Sequence, residues 1–257
     1  MGYNDSELVF TGVPMMGDAT LAMTSTGGPL DAIDDKTPIA FEEANAAVGS
    51  VKDVSGVNGT YGIRYTLADV MGSGIKLDAM YVPKHGTGDA AAEKGVSGDG
   101  QAANKDGYDV VLSGAVPMID GLNFGLGYGV KNANASAAQG DMDQHEGTAY
   151  ASYAFGGLTV GVQRGAVEVP GTSSTTYTND YIGVSYAVSD NLSLSYNEIE
   201  SNKNSDGTNV DQDLDSISLS YTAGGMTIGI LDSEAKNASY TADRKQSATA
   251  IQMSIAF

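Results

Sequence analysis

The last nine residues of the chain alternate strictly between larger, mostly apolar side chains and small or polar ones. Thr249, Ile251, Met253, Ile255 and Phe257 share one parity, and the residues between them are Ala, Gln, Ser and Ala. Because successive side chains of a β-strand point to opposite faces, this pattern predicts a strand with one apolar face. The segment therefore restricts the fold to one in which a sheet turns a continuous apolar surface toward lipid or toward a core.

The rest of the sequence repeats this alternation in runs of about ten residues, the length expected of a tilted membrane-spanning strand. No stretch of comparable length shows the apolar period of about 3.6 residues that is typical of a helix. The sequence predicts thirteen strands, at residues 6–12, 17–26, 58–68, 74–83, 106–117, 121–131, 145–155, 157–168, 177–187, 191–201, 212–222, 225–235 and 245–257.

The connections between these strands alternate between short and long. The long polar loops are residues 27–58, 84–105, 132–144, 170–176, 202–211 and 236–244. Bacterial outer-membrane barrels have this arrangement, with tight periplasmic turns and longer external loops, and their closing strand commonly ends in an aromatic residue. We therefore predict an all-β protein, a transmembrane antiparallel β-barrel. The aromatic residues expected near strand ends, at the two membrane interfaces, are Tyr128, Tyr153, Phe155, Tyr186, Tyr196 and Tyr221.

The composition excludes several classes of protein. The chain has no Cys, which excludes disulfides and thiolate metal sites, and its formal net charge of −19 argues against a nucleic-acid partner. No run of about 18 apolar residues predicts a transmembrane helix. The N-terminus has neither a basic start nor an apolar stretch, so no signal peptide is predicted.

The number of predicted strands is odd, whereas single-chain bacterial barrels have an even number. If Phe257 ends on the periplasmic side, the first predicted strand begins on the outer side. We therefore expect a barrel of sixteen strands, of which this chain supplies about thirteen and lacks about three N-terminal ones. Residues 1–257 are expected to form a single barrel domain whose 27–58 loop follows the fifth strand.

Several segments resemble the general porins of alphaproteobacteria, and especially those of marine bacteria. They are residues 6–12, the long loop followed by residues 58–67, residues 81–84, the 184–194 hairpin and the terminal strand. The resemblance covers nearly the whole chain. It implies an outer-membrane homotrimer of water-filled barrels in contact with lipids, each narrowed by its third external loop folding inward. On this resemblance, we expect the leader and about three N-terminal strands of that family to be missing from this chain.

The long loop is rich in carboxylates. Its acidic residues are Asp31, Asp34, Asp35, Glu42, Glu43 and Asp53, against Lys36 and Lys52 as its bases. Strand parity puts Arg64 and Lys76 on the inner wall, with Lys131 also inward near the external mouth. An infolded acidic loop facing wall cations predicts a pore constriction with a transverse field and a modest preference for cations. The alternative is that the loop acids form a solvated external surface.

Other candidate sites are weaker. Two acidic loops offer incidental calcium ligands, Asp141 with Asp143 and Asp211 with Asp213, but neither has EF-hand spacing. We therefore expect no cofactor. Residues 125–129 are glycine-rich without a following helix, so they are expected to belong to a strand whose small inward residues keep a lumen open.

The leading functional hypothesis is passive diffusion of small hydrophilic solutes and ions through the outer membrane of a Gram-negative bacterium. A second is an acidic surface adhesin or structural β-protein without a pore, although no fixed repeat supports a solenoid. A third, an outer-membrane enzyme, is disfavoured because neither histidine lies on the outward parity of a strand interior. We predict that the protein is not an enzyme.

Overall fold

A computed structural model describes residues 8–14, 18–24, 27–49, 51–57, 62–83, 104–133, 143–169 and 175–256. Thirteen strands in these segments form one antiparallel sheet, in which each strand pairs with its neighbours in the chain. The strands are β1 (Leu8–Pro14), β2 (Asp18–Thr24), β3 (Gly62–Leu67), β4 (Ile75–Val82), β5 (Asn104–Ala115), β6 (Leu122–Ala133), β7 (Gln144–Phe155), β8 (Leu158–Val169), β9 (Thr175–Ser189), β10 (Leu192–Asn204), β11 (Gln212–Ala223), β12 (Met226–Lys236) and β13 (Lys245–Ile255).

The all-β antiparallel class predicted from the sequence is confirmed, and the strand bounds differ from the predicted ones by a few residues. Short 3₁₀ turns occupy Asp31–Ile33, Ala44–Ala46, Val70–Gly72 and Ala238–Tyr240. Among the described residues, no helix combines the length and the apolar character needed to cross a membrane. Phe257, at the end of the predicted terminal strand, lies outside the described residues.

The sheet has two faces of different character. The open face presents exposed apolar side chains, among them Ile63, Val110, Leu126, Val162, Ile182, Ile217 and Ile251. The covered face bears buried polar side chains, among them Asp109, Glu146, Gln163, Asn197 and Ser218. In β13 the open-face residues Ile251, Met253 and Ile255 are 71%, 60% and 56% exposed. The apolar parity of the terminal strand therefore faces away from the protein, as a lipid-facing strand requires.

The hydrophobic core of the described residues lies between the covered face and residues 27–57, the loop that joins β2 to β3. Its members form three clusters: Leu30, Ile33 and Val54 with Val111 and Val167; Ala44 and Val48 with Tyr181, Ile199, Leu214, Ala235 and Ala238; and Val57 with Met80 and Val82. Each cluster joins loop residues to strand residues. Burial of apolar surface thus fixes the loop on the sheet, and among the described residues no apolar cluster covers the open face.

The predicted aromatic residues are all exposed on the open face. Tyr153, Phe155, Tyr186 and Tyr221 lie near the short-turn ends of their strands, as expected of an interfacial girdle. Tyr128 lies near the middle of β6, and Tyr196 lies several residues inside β10. The expectation that these two mark strand ends is therefore wrong, because the strands extend further than their alternating runs indicate.

Candidate functional site

The first half of the 27–57 loop crosses the covered face from β8 to β13. Its backbone N–H groups donate hydrogen bonds to polar side chains on β8, β10, β11 and β13. The donors and acceptors are Lys36 to Gln163 Oε1 (2.7 Å), Ala40 to Ser195 Oγ (3.0 Å), Phe41 to Ser218 Oγ (3.2 Å) and Gly49 to Gln246 Oε1 (2.9 Å). Short polar side chains on this face therefore satisfy the loop's backbone donors where the loop has no regular structure of its own.

The second half of the loop returns along the same face toward β5. The Lys52 N–H donates to the Tyr240 hydroxyl (3.0 Å), and the Val57 N–H donates to Asp109 Oδ2 (2.9 Å). The Gly28 N–H then donates to the Val57 carbonyl (2.7 Å) and joins the two ends of the loop. The two ends of the loop therefore lie side by side, and the loop between them lies flat on the sheet.

Glycines in the sheet make room for the loop. A Cβ at Gly161 would lie 2.5 Å from Pro38 Cδ, and one at Gly183 would lie 2.8 Å from Thr37 Cβ. In the glycine-rich stretch of β6, a Cβ at Gly127 would collide with Leu30. The expectation that these small residues keep a lumen open is therefore wrong for this stretch, because Leu30 of the loop fills the space above Gly127 and Gly129 and the Tyr150 ring fills the space above Gly125.

Four of the predicted acidic residues come together where the loop crosses β9 and β10. Asp34, Asp35, Glu43 and Asp53 line a cavity of about 40 Å³, together with Tyr181 and the buried Asn197. Asp53 accepts hydrogen bonds from the Tyr181 hydroxyl, from Asn179 Nδ2 (3.0 Å) and from Asn45 Nδ2 (3.1 Å). Asp31 and Glu42 do not line this cavity; Asp31 is exposed and Glu42 is half-buried.

The clustering alters the acidity of these groups. Burial, with the nearby charges of Asp35 and Asp31, raises the pKa of Asp34 to about 7. Burial and a hydrogen bond with Asp35 raise the pKa of Glu43 to about 7. Burial raises the pKa of Asp53 to about 6, although the hydrogen bonds from Asn179 and Asn45 act in the opposite direction. The loop therefore carries carboxyl groups that titrate near neutral pH.

The predicted wall cations form a separate group on β3 and β4. Arg64 donates from Nε to Asp78 Oδ1 (2.8 Å) and from Nη2 to Asp78 Oδ2 (2.6 Å). Lys76 Nζ lies 3.3 Å from the same carboxylate, and Thr66 donates to it at 3.0 Å. Asp78 is buried, whereas Arg64 and Lys76 keep 27% and 43% of their side chains exposed. The cluster therefore presents two cations partly balanced by one carboxylate.

Sequence reasoning missed three buried carboxylates on the covered face, Asp78, Asp109 and Glu146. Asp78 shares the strand and the parity of Lys76, so the same alternation was sufficient to find it. Asp109 and Glu146 also lie on the inward parity of their strands, and both accept hydrogen bonds from backbone N–H groups of the distant loop, which no local pattern reveals.

The calcium candidates are scattered. Asp141 lies outside the described residues, and Asp211 accepts a hydrogen bond from the Lys203 N–H (3.1 Å). Asp213 is exposed, and Asp143 is half-buried. Within the described segments, no group of three or more His, Cys, Asp or Glu side chains is arranged to hold a metal ion.

Comparison with known proteins gives one family and several solved structures. The family described as Gram-negative porin matches residues 19–227. OmpT of Vibrio cholerae, in a structure described as its trimer form, has a TM-score of 0.60 and 11% identity, over 91% of this chain and 74% of that one. A structure described as porin refined at 1.8 Å gives a TM-score of 0.61 and 13% identity, over 91% and 77%.

The outer-membrane channel DcaP of Acinetobacter baumannii has a TM-score of 0.57 and 11% identity, over 96% of this chain and 82% of that one. No curated protein sequence matches the chain. At these identities the structural likenesses concern the fold, and the family match covers most of the chain.

Proposed function

The chain belongs to the Gram-negative porin family and is a porin of the outer membrane, and we propose that its 27–57 loop forms the constriction of a water-filled pore. Small hydrophilic solutes and ions diffuse passively through this pore. The loop narrows the space in front of the covered face, and the open face contacts the lipid hydrocarbon.

One observation carries this proposal. Residues 27–57 lie across the polar face of a sheet whose other face is exposed and apolar. A membrane sheet with this polarity has water on the covered side, because polar groups in hydrocarbon cost several kcal/mol each when unpaired. A loop held on the water side reduces the cross-section open to solutes.

The charges of the loop, compared with those of the cluster of Arg64, Lys76 and Asp78, support a modest preference for cations. The loop carries six carboxylates against two lysines, whereas Arg64 and Lys76 share the carboxylate of Asp78. Acidic groups at a narrow passage raise the local concentration of cations, and bulk screening over about 8 Å limits the effect to groups near the passage. Asp34, Asp35, Glu43, Asp53, Arg64 and Lys76 are the proposed determinants, with Asp31 and Glu42 contributing at longer range.

The complete assembly extends beyond the described sheet in this proposal. A closed barrel of sixteen strands fits the even strand numbers of bacterial barrels, and this chain covers 77% of the matched porin structure. A homotrimer fits the trimer form described for the matched Vibrio cholerae protein. The segments that resemble marine alphaproteobacterial porins support placing the chain nearest to that group.

The test is the electrical behaviour of the purified protein in a planar lipid bilayer. Stepwise increases in conductance are expected, with a reversal potential of the sign for cation preference in a KCl gradient. The absence of steps at protein concentrations that give inserted protein would contradict a pore, and anion preference would contradict the proposed role of the loop acids. The alternative of a surface adhesin receives no support from the family match or the solved structures.

A further inference from the structure

The return end of the 27–57 loop, residues 55–57, is held by two buried carboxylates of the sheet. The N–H groups of Ser55 and Gly56 donate to Glu146 Oε2 at 2.8 Å and 2.9 Å, and the next N–H, that of Val57, donates to Asp109 Oδ2 at 2.9 Å. Three successive backbone donors thus point at carboxylates on β7 and β5. Hydrogen bonds to an ionised acceptor are about twice as strong as those between neutral groups.

The charge of Glu146 is compensated within the same group of side chains. Lys131 Nζ lies 2.7 Å from Glu146 Oε1 and donates to Ser55 Oγ at 2.7 Å, and Gln144 Nε2 also donates to Glu146 Oε1. Only 1% of the Glu146 side chain and 13% of the Lys131 side chain are exposed. A buried carboxylate is tolerated when it is paired and fully hydrogen-bonded, and removal of one partner is then costly.

The backbone of the loop is shaped to fit this site. Gly56 has φ of +60°, a conformation that side-chain-bearing residues rarely adopt. A Cβ at this position would lie 2.6 Å from Asp109 Oδ2 and 2.9 Å from the Asp31 nitrogen. Glycine is therefore required both for the turn and for the close approach of the carboxylate.

The rest of the loop is attached differently. Its N–H groups at Lys36, Ala40, Phe41 and Gly49 donate to neutral amide or hydroxyl groups of the sheet. Its Asp53 carboxylate accepts hydrogen bonds from the neutral side chains of Asn179 and Tyr181, and apolar contacts complete the attachment. The return end differs because a lysine-paired carboxylate holds consecutive amides there. Loss of the negative charge weakens the hydrogen bonds from the Ser55 and Gly56 N–H groups and leaves the Lys131 ammonium without its counter-ion.

We propose that Glu146, together with Lys131, is the positioning residue that sets the distance between the return end of the loop and the wall. By holding the loop there, it limits how often the open pore closes briefly. The inference rests on the proposed role of the 27–57 loop as the constriction. Glu146 touches no solute in this role; it acts through the loop. Its removal releases the loop end and lets it enter the lumen intermittently.

The test compares Glu146→Gln with Glu168→Gln. Glu168 is exposed and lies on β8 beside His145, at the same end of the sheet but on the open face, so it is the matched control. In single-channel recordings, Glu146→Gln is expected to keep conductance steps but to show a several-fold increase in brief partial closures and closure at lower voltage. Glu168→Gln is expected to behave as the native protein.

A second measurement reports on the loop itself. The native chain has no Cys, so a spin label at Lys52→Cys, an exposed loop position, reports loop motion in reconstituted vesicles. Increased label mobility is expected in Glu146→Gln and in Lys131→Met, with the sheet still folded but the thermal unfolding midpoint lowered, because each change leaves one buried partner uncompensated. The double variant is expected to be no more mobile than either single one, because both changes break the same interaction.

The outcomes separate the two levels of the proposal. If the native protein gives no steps, the porin function fails, and the label mobility still tests the loop attachment. If the native protein gives steps but Glu146→Gln matches it in closures and in label mobility, the positioning role is wrong. If Glu146→Gln does not fold, the same two measurements are made on Lys131→Met. Closures and label mobility that match those of the native protein would then overturn the proposal.

Discussion

Asp78 is the residue on which the charge of the wall cluster depends. Its carboxylate is buried and pairs with both Arg64 and Lys76, so it offsets part of their positive charge. Each change at this cluster shifts that balance by one unit. The field across the constriction is then altered without a change to the loop.

Asp78→Asn and Arg64→Gln are expected to shift ion preference in opposite directions. Asp78→Asn removes one negative charge from the cluster, so the cation preference falls, whereas Arg64→Gln removes one positive charge, so it rises. Reversal potentials in a KCl gradient measure both shifts. Asp190→Asn, at an exposed short turn, is the control. Shifts of the same sign in the two variants would show that the cluster does not face the ion path.

The cation preference is also expected to depend on pH. Because burial raises the pKa of Asp34 and Glu43 to about 7 and that of Asp53 to about 6, these groups lose their negative charge as pH falls. Reversal potentials between about pH 8 and about pH 5 should therefore show a falling cation preference, with most of the change above the ordinary carboxyl range near 4. A change confined to pH below 5 would contradict these shifts.

The same shifts fix the sign of the effect on stability. A carboxyl group whose pKa is higher in the folded protein than in the unfolded chain binds more protons when folded. Folding is therefore favoured as pH falls from about 7 toward about 4, and disfavoured as pH rises through the same range. The loss of cation preference at mildly acidic pH should thus occur with the loop still docked.

At the level of single residues, the sequence could show only part of this site. Alternation in β3 and β4 was enough to assign Arg64 and Lys76 to one face. The pairing with Asp78 depends on the register that sets Thr66 opposite Asp78, and alternation does not determine register. The clustering of Asp34, Glu43 and Asp53 depends on how an irregular loop folds back on itself.

The 27–57 loop is the element proposed to form the constriction, and its path follows the glycines of the wall. Gly161 and Gly165 lie on the same face of β8, but only Gly161 lies in close contact with the loop. A Cβ at Gly161 would lie 2.5 Å from Pro38, whereas one at Gly165 would make an ordinary contact with Val54 at 3.9 Å. Comparison of alanine substitutions at Gly161 and Gly165 therefore separates the effect of displacing the loop from the general cost of adding a methyl group.

Gly161→Ala is expected to lift the loop near Pro38 toward the lumen and to lower the single-channel conductance. Overpacking of this kind costs about 1–3 kcal/mol, so a lower thermal unfolding midpoint is also expected. Gly165→Ala should leave both values close to native. Equal conductance in the two variants would show that the position of the loop does not depend on the close contact between Gly161 and Pro38.

At the level of elements, the strands were predictable and the loop path was not. Each strand is encoded locally, because two-residue alternation is a property of neighbouring side chains. The loop has no such period, and its backbone bonds reach far along the chain, as from Lys36 to Gln163, 127 positions away. The sequence could therefore predict that the loop exists and is acidic, but not which wall residues hold it.

The whole molecule is organised by the difference between its two faces. The apolar core of the described residues lies under the loop, and a second apolar surface is left on the open face. A water-soluble protein rarely exposes so large an apolar surface, whereas a membrane barrel requires it. This polarity is the one whole-molecule property that the terminal strand already indicated from its sequence.

The most direct test is the reactivity of single cysteines along β13 in reconstituted vesicles. The native chain has no Cys, so Ala250→Cys, Ile251→Cys, Gln252→Cys and Met253→Cys can be treated one at a time with a small water-soluble thiol reagent. Fast reaction is predicted at positions 250 and 252, which face water, and slow reaction at 251 and 253, which face lipid. Equal rates at all four positions, or the opposite alternation, would contradict a lipid-facing sheet around an aqueous pore.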